Sequence, residues 1–283
     1  MELRDLAALE SLGNQGLHNF AAGTIEAYFY FPKGTKLGKS TLFFGNKTFV
    51  YSRPSLAEMI LIEHSQTKGP IYSIEELPLT KGSKFQEIRY DLSAVFDSAA
   101  YKNSKKRHQH LVYPFRWLER EGIDVRFARA QDLPKIKTLH DEWVKHKMKD
   151  PKVYKIMFPT GRYIRCVELA AKDLGFIPGG FMSVEPTSRY VLIVAEDRGG
   201  TIVAARVLWR GREADAYDLA FFGNVWSAPS QLTNYVEMSS LRLLLDQGVQ
   251  MVNCGAALNA RLRLFKEHLP FDTATFFLYS KRT

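Results

Sequence analysis

The stretch that decides the fold runs from Gly248 to Phe271 and reads GVQMVNCGAALNARLRLFKEHLPF. Its first part, from Val249 to Cys254, mixes apolar and polar residues and predicts a short strand that ends at Gly255. The apolar positions that follow have the spacing of one buried helical face: Leu258, Leu262, Phe265 and Leu269. The stretch therefore predicts a strand, a tight turn and a helix that ends before Pro270.

Polar and cationic side chains share the opposite face of this predicted helix: Asn259, Arg263 and Lys266. Ligands of open α/β sheets bind at the carboxyl ends of strands, so this row predicts an anion-binding site. Two like charges on one face destabilise an isolated helix, and a bound anion would offset the repulsion between Arg263 and Lys266. A solvated basic helix face is the alternative interpretation.

The same stretch resembles the closing unit of the Fem-type peptidyltransferases, and it is similar to the C-terminal domain of bacterial phosphatidylglycerol lysyltransferases. The matching features are a strand that ends in Asn-x-Gly and a helix that contains Leu-x-x-Phe-Lys: Asn253, Gly255, Leu262, Phe265 and Lys266. Both groups are branches of the acetyltransferase (GNAT) superfamily that take an aminoacyl group from charged tRNA. The resemblance implies a GNAT-like α/β fold and an acyl transfer reaction.

Composition narrows the class of protein. The chain has 283 residues, of which 46% are hydrophobic and 24% charged, and this predicts a globular protein of two packed units. A net charge of +9 and a pI near 9.4 favour an anionic partner such as nucleic acid, phospholipid headgroups or a phosphorylated small molecule. Two cysteines, Cys166 and Cys254, form no disulfide framework. With no signal peptide or membrane-spanning run visible, we expect a cytoplasmic protein without an integral membrane segment.

The order of predicted elements defines the expected domains. From residue 124 the chain predicts a strand, an Asp132-capped helix and a helix at 162–174. Three strands follow, of which the first two, 190–196 and 201–209, form a hairpin across residues 197–200; then come a helix ending at Gly248 and the closing unit with a last strand. We expect two tandem GNAT-like units with mixed central sheets. Residues 1–96 form a degenerate N-terminal unit, 97–123 a basic connecting helix and 124–283 the catalytic unit.

The first unit carries two further local predictions. Gly45-Asn46 predicts a tight hairpin between strands at 41–44 and 48–51. A helix from Pro54 to His64 is expected to be mostly buried through four apolar side chains: Leu56, Met59, Ile60 and Ile62. Further strands are predicted at 27–31, 71–74 and 87–92.

The connecting helix contains a cluster of cations that could follow a phosphate backbone: Lys102, Lys105, Lys106 and Arg107. Aromatic residues flank the cluster, as in many nucleic-acid-binding segments. A solvated connector between domains remains an equal alternative. His108 and His110 are two residues apart and would point to different faces of a helix, so no metal site is predicted.

The chain departs from coenzyme-A-dependent acetyltransferases at residues 221–232, FFGNVWSAPSQL. Those enzymes hold the pyrophosphate with a glycine-rich turn, whereas here Trp226 would crowd the anion and Pro229 lacks an N–H. The Fem-type branch also lacks a strict version of this turn. We therefore expect no bound cofactor, with a coenzyme A thioester as the alternative co-substrate. Residues 178–188 are a candidate lid or wall of the acceptor pocket, with a plain connector as the alternative interpretation.

The resemblance also assigns roles to individual residues. It implies that Lys266 holds the anionic intermediate or an acceptor phosphate. Tyr217 and Asp218, on the preceding strand, complete the catalytic candidates, and Asp218 would orient or deprotonate the amine; an ordinary strand-end residue is the alternative interpretation. The candidate substrate-binding residues are Asn253, Asn259, Arg263, Phe265 and Trp226.

The favoured function is transfer of an aminoacyl group from aminoacyl-tRNA to an amine acceptor. The ester of charged tRNA is already activated, so no covalent nucleophile is needed, and the chain has no G-x-S-x-G motif. Two alternatives stay open: an N-acyltransferase that uses acyl-CoA or an acyl-carrier protein, and a non-catalytic nucleic-acid-binding protein on the same fold.

Overall fold

The computed structural model describes twelve segments and four single residues. The segments are 35–37, 41–44, 47–50, 53–64, 71–73, 76–79, 82–97, 120–147, 190–210, 214–223, 231–256 and 260–279, and the single residues are 99, 105, 113 and 116. Several expectations lie outside these residues: the strand at 27–31, the helix at 162–174, the loop at 178–188 and the expected coenzyme A turn at 224–230.

Strands and helices are interspersed along the described segments, as expected of an α/β chain. The strands are β1 (Thr35–Leu37), β2 (Thr41–Phe44), β3 (Lys47–Val50), β4 (Ile71–Ser73), β5 (Gly82–Asp91), β6 (Asp124–Phe127), β7 (Tyr190–Glu196), β8 (Ile202–Arg210), β9 (Asp215–Gly223), β10 (Met251–Ala256) and β11 (Asp272–Tyr279). The helices are α1 (Leu56–His64), α2 (Leu92–Asp97), α3 (Leu133–Lys147), α4 (Gln231–Asp246) and α5 (Ala260–Lys266).

The described strands form one continuous sheet in the order β1-β2-β3-β4-β11-β5-β10-β9-β8-β7-β6. Pairing is parallel between β3 and β4 and between β9 and β10, and antiparallel elsewhere, so the sheet is mixed. Strand β5 belongs to the expected N-terminal unit but lies between β10 and β11 of the expected C-terminal unit. The sheet thus continues across the expected domain boundary, and the division into two units stays a prediction.

Helix α4 covers the central strands and completes the main core. Its inward residues pack against apolar side chains of the sheet and of α2, in a cluster that includes Tyr90, Val191, Leu208, Met238, Leu241, Leu244, Val252 and Leu269. Helix α3 packs against β8 and β9 through Ile136, Leu139 and Trp143, all of which are buried. The central strands β8, β9 and β10 are therefore held between packed elements.

The predicted hairpins are confirmed. Strand β2 pairs antiparallel with β3, and β7 with β8, close to the predicted limits.

The expectation that α1 is mostly buried is wrong: Leu56 is 80% exposed and Ile60 is 47% exposed. Only Met59 and Ile62 pack against the small core around Val50 and Ile71. The four apolar positions are spread over a broad arc of this nine-residue helix, so they do not all face the same core.

Helix α4 ends as predicted at Gly248, which has a positive φ of 79°. The N–H of Gly248 donates to the carbonyl of Leu245 at 2.9 Å, and the N–H of Val249 donates to the carbonyl of Leu244 at 3.0 Å. These two bonds satisfy carbonyls at the end of the helix, in the arrangement of a Schellman motif.

We expect Gly248→Ala to lower the free energy of unfolding by about 1–2 kcal/mol, because a Cβ disfavours this left-handed conformation. No atom lies within 4 Å of the position that the Cβ would occupy, so the cost is conformational and not steric. Urea unfolding of Gly248→Asn supplies the matched control, since asparagine adopts positive φ more readily. Equal destabilisation by Ala and Asn would contradict this explanation.

Candidate active site

The parallel strands β9 and β10 separate towards their carboxyl ends. Their pairing is limited to Asp215–Tyr217 of β9 and Met251–Asn253 of β10. Beyond Tyr217, β9 continues along β8 to Gly223, whereas Ala256 of β10 pairs with Glu87 of β5. The divergence leaves a gap at the edge of the sheet where α/β proteins bind ligands.

A bulge next to the divergence places Asp218 beside the gap. Leu208 of β8 pairs with Asp218, but the preceding Val207 pairs with Ala220, so β9 contains one extra residue here. Such a bulge redirects side chains and is frequent near active sites. Asp218 directly follows Tyr217, the last residue of β9 that pairs with β10.

The carboxylate of Asp218 is held by a buried arginine. The guanidinium of Arg206 donates to both oxygens of Asp218, at 3.2 and 3.0 Å. The side chain of Arg206 is 2% exposed and that of Asp218 is 21% exposed. Burial lowers the pKa of Arg206, but the attraction of Asp218 leaves that pKa above its usual value. The arginine therefore stays charged and fixes the carboxylate at the boundary between the core and the gap.

Lys266 reaches the end of β10 from α5. Its ammonium group donates to the backbone carbonyls of Cys254 and Gly255, the latter at 3.2 Å. Where β10 separates from β9, its backbone carbonyls lose their strand partners and need other hydrogen-bond donors. The ammonium group of Lys266 supplies charged donors to these carbonyls. A cation is thus held where β9 and β10 separate.

Asn253 shapes the backbone that Lys266 contacts. Its amide nitrogen donates to Oε2 of Glu87 at 3.0 Å, and its side-chain oxygen accepts the N–H of Gly255 at 2.8 Å. Gly255 has a positive φ of 70°, which explains why glycine ends this strand. Glu87 and Asn253 are both buried. Together they hold the irregular end of β10 in place.

The C-terminal end of α5 is attached to the core by two buried side chains. The hydroxyl of Tyr90 donates to the carbonyl of Lys266 at 2.6 Å, and Nδ1 of His268 contacts the carbonyl of Phe265. Nε2 of His268 lies 3.4 Å from Oε2 of Glu237 on α4. Burial raises the pKa of Glu237 to about 7. It also raises the pKa of the Tyr90 hydroxyl and the Cys254 thiol, so both are neutral at physiological pH.

The structure brings several of the predicted site residues to the divergence. Lys266, Asp218 and Asn253 surround the ends of β9 and β10, and the backbone of Tyr217 pairs with Asn253 in the last shared position. Phe265 is half-buried, and its ring lies 5.1 Å from that of His268. Asn259, Trp226, Lys102, Lys106 and Arg107 lie outside the described residues, whereas Lys105 is described and exposed.

Arg263 differs from the expectation. Its Nε donates to Oε1 of Glu267 at 2.7 Å, in an exposed pair one turn apart on α5. The neighbouring carboxylate balances its charge, so repulsion between Arg263 and Lys266 no longer argues for a bound anion. Arg263 instead borders a cavity of about 400 Å³ beside α5, which is lined by Lys84, Phe85, Gln86, Ile88, Arg263, Glu267 and Thr273.

Sequence reasoning missed most of the buried polar residues: Arg206, Glu237, His268, Tyr90 and Glu87. One signal was present for Arg206, because it interrupts the apolar run IVAARVLW and an unpaired charge there would be costly. Glu237 follows Val236 in the buried part of α4, and only the packed helix shows that it faces inward.

Within the described segments, no group of three or more histidine, cysteine or acidic side chains is arranged to bind a metal ion. Among the helices of the same segments, none combines the length and apolar character that crossing a membrane requires.

We expect Asn253→Ala to lower the free energy of unfolding by about 1–3 kcal/mol, because it removes both bonds of a buried amide. Chemical denaturation measures this loss. The matched control is Gln86→Ala on the neighbouring strand, where the side chain is exposed and the expected change is within about 0.5 kcal/mol. A stability loss no larger than that of the control would show that Asn253 does not hold the strand end.

No protein-family model and no curated protein sequence matches the chain. Solved structures do match. A conserved protein of unknown function from Bacteroides thetaiotaomicron VPI-5482 has a TM-score of 0.63 at 10% identity, over 98% of this chain and 97% of that one. FemX has a TM-score of 0.56 at 10% identity, over 91% of both chains.

A third similar structure is the C-terminal domain of a protein assigned as a lysylphosphatidylglycerol synthetase from Agrobacterium fabrum. Its TM-score is 0.54 at 13% identity, and the match covers 87% of this chain and 84% of that domain. At such identities the similarity concerns the fold. The expected resemblance to Fem-type transferases and to lysylphosphatidylglycerol synthetase domains is confirmed at that level.

Proposed function

We propose that the protein is an acyltransferase that moves an aminoacyl group from aminoacyl-tRNA to an amine acceptor, with the reaction at the divergence of β9 and β10. The observation that carries this proposal is the position of the Lys266 ammonium group, which is held at the carboxyl end of β10 beside the gap. Asp218 lies on the other strand of the same gap. A cation and a carboxylate therefore flank the place where a substrate would enter.

Aminoacyl transfer to an amine needs a cation and a carboxylate of this kind, as its steps show. The nitrogen of the acceptor attacks the carbonyl carbon of the aminoacyl ester, and a tetrahedral intermediate with a negative oxygen forms. An N–C bond is then complete, the bond from carbon to the ribose oxygen breaks, and the proton lost by the amine ends on that oxygen. Lys266 would stabilise the negative oxygen, and Asp218 would orient the amine.

The choice of donor rests on the fold and on charge. The similar structures include FemX and a lysylphosphatidylglycerol synthetase domain, and the resemblance to those groups implies charged tRNA as donor. The net charge of +9 favours a polyanionic partner. Residues 221–232 lack the glycine-rich sequence that holds coenzyme A, which argues against an acyl-CoA donor. Lys84, at the cavity beside α5, would attract an anionic part of either substrate, whereas the charge of Arg263 there is balanced by Glu267.

The experiment offers a panel of charged tRNAs and acyl-CoAs with amine acceptors and identifies the products by mass spectrometry. We expect an amide product with at least one charged tRNA and none with acyl-CoA. Lys266→Met should still fold, since it retains the apolar stem, and loss of the bonds to the carbonyls of Cys254 and Gly255 should lower the free energy of unfolding by about 1–3 kcal/mol. It should slow transfer by about a hundredfold or more, the effect of losing one oxyanion donor. The matched control is Lys137→Met, which removes an exposed lysine from α3 and should leave transfer unchanged.

Three results would contradict the proposal. Product formation from acyl-CoA alone would favour the coenzyme-A-dependent alternative. Full activity of a folded Lys266→Met variant would exclude this lysine as the catalytic cation. Tight RNA binding without any transfer would favour the non-catalytic alternative.

The cationic cluster at 102–107 gives a separate prediction. If it contacts tRNA phosphates, Lys105→Glu combined with Lys106→Glu should weaken tRNA binding and reduce the slope of log affinity against log salt by about one unit per lost contact. A variant with the same charge change on α3, Lys137→Glu with Lys145→Glu, serves as control. Equal affinities and slopes for the two variants would leave the cluster as a solvated connector.

A further inference from the structure

Two buried ionisable side chains face each other near the C-terminal end of α5. They take no part in the proposed reaction. Glu237 lies in the middle of α4, and His268 lies just after α5. Oε2 of Glu237 and Nε2 of His268 are 3.4 Å apart, and the two side chains are only 8% and 4% exposed. This contact joins α4 to the segment that directly follows α5.

The backbone fixes the tautomer of His268. Nδ1 contacts the carbonyl oxygen of Phe265, and because a carbonyl only accepts hydrogen bonds, Nδ1 must carry a hydrogen. A neutral imidazole has one N–H, so Nε2 then presents a lone pair to the oxygen of Glu237. Two lone pairs at this distance repel in a dry site, and one proton between them turns the repulsion into a hydrogen bond.

We propose that Glu237 and His268 share one buried proton and that this proton makes them positioning residues for Lys266. His268 bonds the carbonyl of Phe265, and Tyr90 bonds the carbonyl of Lys266. Both carbonyls belong to the last turn of α5, so the shared proton connects that turn to α4. The effect on catalysis rests on the proposed function, whereas the shared proton does not.

The charges around the pair set the pH range. Glu237 is surrounded by charged and titratable groups from four strands and from α5: Tyr90, Arg206, Asp218, Cys254 and Lys266. Burial raises the pKa of Glu237 from 4.5 to about 7, and Asp218 raises it further, although Arg206 and Lys266 lower it. In the unfolded chain the one proton of the pair sits on the imidazole, whose usual pKa is about 6.5, so the stabilisation is present below that pH and is lost as pH rises through about 7.

Hydrogen–deuterium exchange of residues 260–269 tests the connection, after correction for the intrinsic effect of pH. In the wild-type protein, protection should fall by about threefold between about pH 5.5 and 8.5, because the shared proton is held with a pKa of about 7 in the folded pair and about 6.5 on the imidazole of the unfolded chain. Glu237→Gln should remove this dependence, because its amide can donate to Nε2 at every pH. The bond from Arg206 to Glu237 involves the backbone carbonyl and is retained in this variant.

Glu267→Gln is the matched control, since it removes the neighbouring carboxylate that pairs with Arg263, and should keep the wild-type pH dependence. An equal loss of protection in the wild type and in Glu237→Gln would overturn the proposal. So would a wild-type protein whose protection in this segment does not change with pH.

A second measurement decides the matter even if Glu237→Gln does not fold. Nitrogen-15 spectra of the labelled wild-type protein, with the His268 signal assigned through His268→Gln, report the ring tautomer directly. We expect hydrogen on Nδ1 at every pH, and a tautomer with hydrogen on Nε2 alone would overturn the proposal. If the tautomer and the exchange data agree but no substrate is converted, the proposed function fails and the shared proton stands.

Discussion

The separation of β9 from β10 is the constraint on which the site depends. Two parallel strands that stop pairing leave backbone groups without their sheet partners, and buried groups of this kind must bond elsewhere. Lys266 supplies donors to the carbonyls of Cys254 and Gly255, and Asn253 accepts the N–H of Gly255. The hydrogen bonds from Lys266 that stabilise the strand end also hold its ammonium group beside the gap.

Buried polar side chains hold β9, β10 and the end of α5 in place from the core side. Arg206 fixes Asp218 on β9, Glu87 fixes Asn253 on β10, and His268 with Tyr90 fixes the end of α5. Isolated charges would be costly in such a place, and each is stabilised by a specific partner. The cost of burying this many polar groups is explained if they hold a reaction site in one geometry.

The local elements were predictable from the sequence because their signals are local. Alternation and turn residues marked β7, β8 and β10, and Gly248 marked the end of α4. The order of the strands was not predictable, because β5 reaches its place between β10 and β11 through pairings with residues more than 150 positions away. Lys266 was identified by resemblance, but Glu237 and His268 meet only through the packing of α4 against the end of α5. A single sequence contains no signal for such a contact.

We propose that substrate binds at the divergence of β9 and β10. The most direct measurement is hydrogen–deuterium exchange with and without a charged tRNA whose aminoacyl ester is replaced by a stable amide. We expect slower exchange in residues 214–223 and 251–256, on both sides of the gap. Slower exchange confined to other segments, with both strands unchanged by saturating ligand, would contradict it.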